Sequence, residues 1–432
     1  MKKIVTLLIF VTICLGCKKK LGCTHPSALN FDIDAQQDDG SCVFENNPRL
    51  INYRITQDKT LTNDSIWIFD GRITVENGAT LTIEPGTIIK SRSGSGASCT
   101  VLIITKEGKI NAVGTPEEPI IFTSESDHIQ IGEKVSPNLT PSANGMWGGI
   151  ILLGDAPGSF PGNVTELQIE GIPATDLSGR MGGSDPHDNS GIFRYVSIRH
   201  GGSEIGEGNE INGLTLGAVG DGTQIDHIEI IGNTDDGIEF FGGTVNPHHI
   251  LVWAQGDDGI DLDCGYGGRL SNSVVILNEA SDHAIEVDGP EGAMMNEFEL
   301  DSIYLVGATT NCLPDGVDGE ISDYRKGARG ISKNIWCIDF ALSSDVELDA
   351  NMDSQNYTDG VLQFENWYIK KPVDNNGNEC FGIAIDNLFY DKGTIPSTFE
   401  QDAHNFASFV TTTPFDDIIN NEFSWTYYSL SH

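Results

Sequence analysis

The residues of this chain most able to do chemistry are acidic side chains at a repeated spacing. Asp236-Gly237-Ile238-Glu239-Phe240 recurs as Asp258-Gly259-Ile260-Asp261-Leu262, a shift of 22 residues, and again as Asp282-His283-Ala284-Ile285-Glu286-Val287. Successive side chains of a strand face opposite ways, so with Ile238 and Phe240 pointing inward Glu239 points outward. The same phase sends Ile260, Leu262, Ile285 and Val287 in, and Asp261, Asp263, Glu286 and Asp288 out. Stacked as adjacent strands about 4.8 Å apart, Glu239, Asp261 and Glu286 form one column of carboxylates with Asp263 and Asp288 beside it. Like charges that close repel, so the column needs a bound cation, a shared proton or screening water. Calcium is the cation expected for an all-oxygen ligand set. A second acidic stack stands at the preceding turns, where Asp235 and Asp236 lie one repeat from Asp257 and Asp258. Asp beside Gly also caps turn amides, so capping competes with cation binding there.

Bringing residues 22 apart into vertical register requires coils that stack. Ile228 and Ile250 share the same step, which is enough chain for three short strands and their turns. Composition agrees: 50 glycines stand against 17 prolines, and the apolar residues come in short β-branched runs separated by Gly, Asn and Asp. Gly78-Ala79-Thr80-Leu81-Thr82-Ile83, Pro85-Gly86-Thr87-Ile88-Ile89 and Ile120-Ile121-Phe122 are further units of this kind. The Leu and Asn signature of a leucine-rich repeat is missing. The reading is an all-β chain, a right-handed parallel β-helix over residues 49–360 with loop insertions, then terminal coils and a C-terminal cap over 361–432. Ser124 to Gly191 reads as long loops projecting from one or two strands around Ile150-Ile151-Leu152-Leu153. Thr398 to Val410 reads as a short helix closing the open end, which a solenoid needs to avoid edge-to-edge association.

A formal charge of −38, from 63 acids and 25 bases, works against nucleic acid or an anionic membrane surface as a partner, because phosphate contacts need Lys and Arg. At the start of the chain Lys2 and Lys3 precede an apolar run, Ile4 to Leu15, too short to span a bilayer. Leu15-Gly16-Cys17 resembles a bacterial lipobox. That resemblance implies a signal peptide over 1–16, a lipid on Cys17, attachment to a membrane through that lipid, and a cell-envelope address as an outer-membrane lipoprotein. Seven cysteines then remain, an odd number, in a compartment that permits disulfides. Cys23 with Cys42 is the first expected pair because the two bracket one small segment. Cys312 with Cys337 is the second, and Cys99 and Cys264 read as buried small hydrophobes.

Residues 17–48 include Gly22-Cys23-Thr24-His25-Pro26-Ser27-Ala28-Leu29-Asn30-Phe31 and end in Asp38-Asp39-Gly40-Ser41-Cys42. This resembles the short Cys-bracketed module, GCTDPxAxNY to DDGSC, of exported proteins of Gram-negative bacteria. So small a segment buries no core and must be held by a disulfide or an ion. Asp32, Asp34, Asp38 and Asp39 are near enough in sequence to share calcium; a disulfide-closed spacer without metal is the other reading.

In the main body, Gly114-Thr115-Pro116 before Pro119-Ile120-Ile121-Phe122-Thr123, then Trp147-Gly148-Gly149-Ile150, Ile169-Glu170-Gly171-Ile172-Pro173, Asn209-Glu210-Ile211-Asn212-Gly213 and Asp236-Gly237-Ile238-Glu239-Phe240-Phe241-Gly242-Gly243 together resemble a family of bacterial β-helix lipoproteins with the pectin-lyase-like fold. The resemblance implies a fold and an address but no reaction. Asn233-Thr234-Asp235 followed by Gly256-Asp257-Asp258 also resembles the NTD and DD motifs of polygalacturonases. It would make Asp258 a general acid, Asp235 and Asp257 the activators of water, and His283 the residue that orients the acid. The Gly-His-Gly of those enzymes is absent, and Arg325-Lys326 only loosely replaces their Arg-Ile-Lys. A lyase would need an Arg base, for which Arg269 is the nearby candidate. His248 and His249, adjacent in a strand, should face opposite ways and so not share a metal, and Trp253 reads as a packed aromatic. The expectation is a non-enzymatic, membrane-anchored scaffold that binds polysaccharide or another surface molecule with calcium as a structural ion. A polysaccharide-degrading hydrolase or lyase is the alternative.

Overall fold

Apolar runs this short, each closed by Gly or Asp, cannot extend into long strands, and the chain instead returns to the same place once per coil. The computed structural model describes residues 19–24, 28, 30–38, 41, 47–205, 211–308 and 319–432. It divides into residues 1–48 and 49–432. The first unit contains one parallel pair, Leu21–Gly22 with Gln37–Asp38. In the second, every coil lays its strands parallel to those of the coils before and after, and the result is the right-handed parallel β-helix expected from the sequence.

The first face of the helix is a ten-stranded parallel sheet running from Arg72–Val75 to Phe389–Asp391. Its interior row sets Ile238 against Ile260 and Ile260 against Ile285. The row continues upward through Leu214, Ile150, Leu102 and Ile73. Downward it passes through Ser322 and Val346 to Phe389. All of these side chains but the buried Ser322 line one continuous apolar core, covered by the neighbouring coils, so a coil has little stability apart from its neighbours.

The second and third faces are built from one bent strand per coil, for example Gln224–Ile231, His248–Trp253 and Arg269–Ile276. The bend is a single left-handed residue at the same level of each strand: Tyr195, His227, His249, Asn272, Ser302, Asn334 and Asn366, with φ between 49° and 62°. One such residue turns the chain without inserting a loop, and Asn and His are among the side chains that tolerate the conformation. Alternation of side chains fails there.

One stretch departs from the sequence reading. Residues 124–191 do not simply project. Phe160, Ile169, Ile172 and Met181 fold back over the outer surface of the first face and close a second apolar cluster with Val101, Ile103, Ile151, Leu153 and Phe241. In these coils both faces of the strand are apolar, so the outward positions call for a cover. Coils are present past residue 361, in the segment read as terminal coils and cap. Leu362–Lys370 and Ala407–Val410 extend the bent-strand sheet and Phe389–Asp391 ends the first face.

Helix α1, Asn351–Thr358, precedes the last coils, and helix α2, Phe399–Phe406, covers the open end. Phe399, Ala403 and Phe406 share one face of α2 and meet Phe364 and Phe389. The expected helix over Thr398–Val410 thus stops at Phe406, because residues 407–410 are taken up as a strand. Helices α3, Phe415–Glu422, and α4, Tyr427–Ser431, then run back along the outside of the third face. There Ile419 and Phe423 pack on Leu251, Val274, Ile276 and Tyr304. Among the described residues no helix is long and apolar enough to cross a membrane.

Candidate functional site

Alternation on the first face produces the predicted acidic column and lengthens it. Glu239 pairs in register with Asp261, Asp261 with Glu286, Glu286 with Asp323, and Asp323 with Glu347. Asp323 and Glu347 were not foreseen, because a longer connection between Val306 and Glu320 breaks the spacing. Their local signal, an acid between two inward residues in Ser322-Asp323-Tyr324 and Val346-Glu347-Leu348, is the same. All five side chains point away from the core yet are only 6 to 9% exposed. Water therefore does not screen them, and another form of compensation is required.

The column divides by how its charge is met. At Glu286 and below, the chain supplies cations. Arg325 donates from Nε to Asp288 Oδ1 at 2.8 Å and from Nη2 to Glu286, while Lys326 reaches Asp288 and Lys392 reaches Glu347. Burial first, and then the Asp258 charge, still push the Glu286 carboxyl up to about 8, against the pull of Arg325. Above Glu286 no such cation arrives among the described residues. Asp236, Glu239 and Asp261 each place one oxygen within 4.8 Å of the others. The Asn212 amide donates to Glu239, and Asp261 Oδ1 has no hydrogen-bond partner. Burial, with the adjacent carboxylates adding to it, raises all three carboxyls well above their usual range. Three buried oxygens this close suit a hard cation or shared protons.

Beside the column, Asp263 accepts the Cys264 backbone N–H at 2.5 Å, and burial lifts its carboxyl to about 6. At the turns the aspartates act as caps. Asp236 Oδ1 accepts the Asp258 N–H at 2.9 Å, and Asp258 Oδ1 accepts the His283 N–H at 2.8 Å, so each coil ties the next. His283 Nδ1 lies 2.9 Å from the same Asp258 oxygen. Desolvation opposes charge on this imidazole, but the Asp258 hydrogen bond and the surrounding acids outweigh it and hold the pKa at about 9. Asp258 and His283 thus form an ion pair at neutral pH. Asp257 is exposed and Asp235 half-buried, at the mouth of the same turn.

A family model described as a pectate-lyase-like β-helix domain matches residues 53–394. The chain belongs to this family. No curated protein and no solved structure matches the chain.

Within the pectate-lyase-like domain, Glu239, Asp261, Asp263, Glu286 and Asp288 gather on one face as the alternation requires, and Asp235, Asp257, Asp258 and His283 gather at its edge. Arg269 does not join them. It lies at the start of the bent strand Arg269–Ile276 and binds Glu299 and Asp301. Arg325, the loose substitute, does reach the column. The expectation for His248 and His249 is overturned: His249 occupies the left-handed corner at φ 57°, alternation breaks, and the two Nδ1 atoms lie 2.7 Å apart. Trp253 is packed, edge-on to Tyr427 and Tyr428. Cys337 is a free, buried thiol, so it is not the partner of Cys312; Cys99 and Cys264 are free and buried as expected. In the first unit Lys20 donates to Asp32 at 2.9 Å and to Asp34 at 3.4 Å, so the chain itself brings a cation to these two acids. Cys17, Asp39, Cys42 and Cys312 fall outside the described residues, as does the side chain of Asp38.

Proposed function

We propose that this chain is an exported, lipid-anchored β-helix scaffold that binds glycan or another surface molecule without cleaving it, with calcium held at Asp236, Glu239 and Asp261. The observation that carries this reading is the commitment of Asp258. A general acid must present its proton to a substrate oxygen, whereas Asp258 is 4% exposed and its Oδ1 already accepts two hydrogen bonds from His283. Asp236, one coil earlier, serves the same capping role. Calcium at the upper acidic trio would supply the positive charge that Arg325, Lys326 and Lys392 supply lower down. At a net charge of −38 the protein repels acidic polymers unless a divalent ion bridges them, so a neutral or calcium-bridged glycan is the expected ligand. Membrane attachment through Cys17 and the closure of the N-terminal module by Cys23 and Cys42 belong to the same reading.

The second reading, a polysaccharide hydrolase or lyase, is favoured by the contact of His283 with Asp258 and by Arg325 lying on the acidic column. One experiment separates the two. The purified protein is incubated with plant and algal polysaccharides, with and without calcium, and assayed for new reducing ends, for unsaturated uronate and for retention on each polymer. Retention and a calcium-raised melting temperature, without turnover, are expected. Turnover abolished by Asp258→Asn would establish the enzyme instead.

A further inference from the structure

The left-handed corner has a consequence of its own on the opposite side of the molecule from the acidic column. In a flat strand His227 and His249 would each alternate with their neighbours. At the corner they succeed one another in a vertical row, and their rings stack 4.6 Å apart at an interplanar angle of 5°. The end of α3 comes down beside them: Glu422 Oε2 is 3.6 Å from His249 Nε2. One ligand atom from each of His227, His249 and Glu422 lies within 4.8 Å of the other two.

We propose that His227, His249 and Glu422 bind a borderline divalent transition metal of the zinc class, and that this ion fastens the returning C-terminal helices to the coils. The partners of the two imidazoles support this choice. His227 Nδ1 lies 2.7 Å from Asp226 Oδ1, and Asp226 is itself gripped by Arg194 Nε at 2.8 and 2.7 Å. A histidine that donates its Nδ1–H to a carboxylate presents the Nε2 lone pair, and this is the usual outer arrangement of a metal-binding histidine. His249 Nδ1 is engaged by His248 Nδ1 at 2.7 Å, which leaves its Nε2 as the ligand atom. Two nitrogens and one carboxylate oxygen, with a fourth position open to water, suit zinc better than calcium, whose ligands are all oxygen. Zinc–nitrogen bonds of 2.0–2.1 Å place tetrahedral ligand atoms about 3.3 Å apart. The 3.6 Å pair nearly meets this spacing, and the ion draws His227 in by tilting it out of the stack. Glu422 is 44% exposed, so an ion can enter from solvent.

The full chain, freed of metal by chelation and dialysis, is titrated with Zn²⁺ by calorimetry and with Co²⁺ by visible absorption. Binding of one equivalent with a tetrahedral Co²⁺ spectrum is expected, undisturbed by excess calcium. His227→Asn, His249→Asn and Glu422→Gln should each weaken it at least tenfold. Asn suits these corners, since Asn272, Asn334 and Asn366 already occupy them, and Glu422→Gln at the end of α3 leaves every core contact in place. Amide exchange in α3 and α4 should slow on adding zinc in the wild type and not in Glu422→Gln. No binding at one equivalent, or binding that all three variants retain, would overturn the proposal.

Discussion

Replacing Asp323 by Asn tests whether the buried column stresses the fold. Asp323 lies between Glu286 and Glu347 in register, is 6% exposed, and leaves Oδ1 without a hydrogen-bond partner. Burial first, with the Asp349 and Glu347 charges adding to it against His283, raises its carboxyl from 3.8 to about 6. A folded-state pKa above the unfolded one means that the protonated group contributes stability below pH 3.8, and that this contribution is lost as pH rises through about 6. At about 1.4 kcal/mol per unit, ionised Asp323 costs the fold about 3 kcal/mol at pH 8. Asn keeps the shape and removes the titration. In guanidinium unfolding followed by circular dichroism in EDTA, the two proteins should agree within about 1 kcal/mol at pH 4. At pH 8 the Asn variant should be more stable by about 3 kcal/mol. An equal difference at both pH values, or a weaker variant at pH 8, would mean that the ionised column is already compensated, and the reasoning fails.

Three further outcomes follow from the same geometry. Ile260→Ala opens a cavity in the middle of the interior row, where Ile238 and Ile285 lie directly above and below, and should cost about 2–5 kcal/mol in the same unfolding assay. His283, raised from 6.5 to about 9 by Asp258 against desolvation, contributes stability that is full below pH 6.5 and lost as pH rises through about 9. His283→Gln should flatten the stability profile over that interval, and parallel profiles would show that the pair contributes nothing. Ser302→Asn places the residue type of Asn272 and Asn334 at a corner held at φ 62° and should stabilise by about 0.5–1 kcal/mol in melting or denaturant curves; a loss of stability would mean that the Ser302 hydrogen bond to Asp301 outweighs the backbone relief.

The repeat made the coils legible from sequence. A shift of 22 residues with alternating apolar positions admits one stacking in which every inward side chain is covered, and Ile238, Ile260 and Ile285 do form one row. Side-chain parity then fixed the outward direction of Glu239, Asp261 and Glu286 without any knowledge of what lies beyond them. What lies beyond them was not legible. That the column is buried, that Arg325 and Lys392 pair with Glu286 and Glu347 and leave Asp236, Glu239 and Asp261 without a cation among the described residues, and that Asp258 is occupied by His283 all depend on contacts between coils whose separation varies with each insertion. The corner histidines mark the same boundary. Period-two reasoning holds only while φ stays in the extended region, and His227 and His249 leave it, so their stacking and the approach of Glu422 from nearly two hundred residues away belong to the tertiary structure alone.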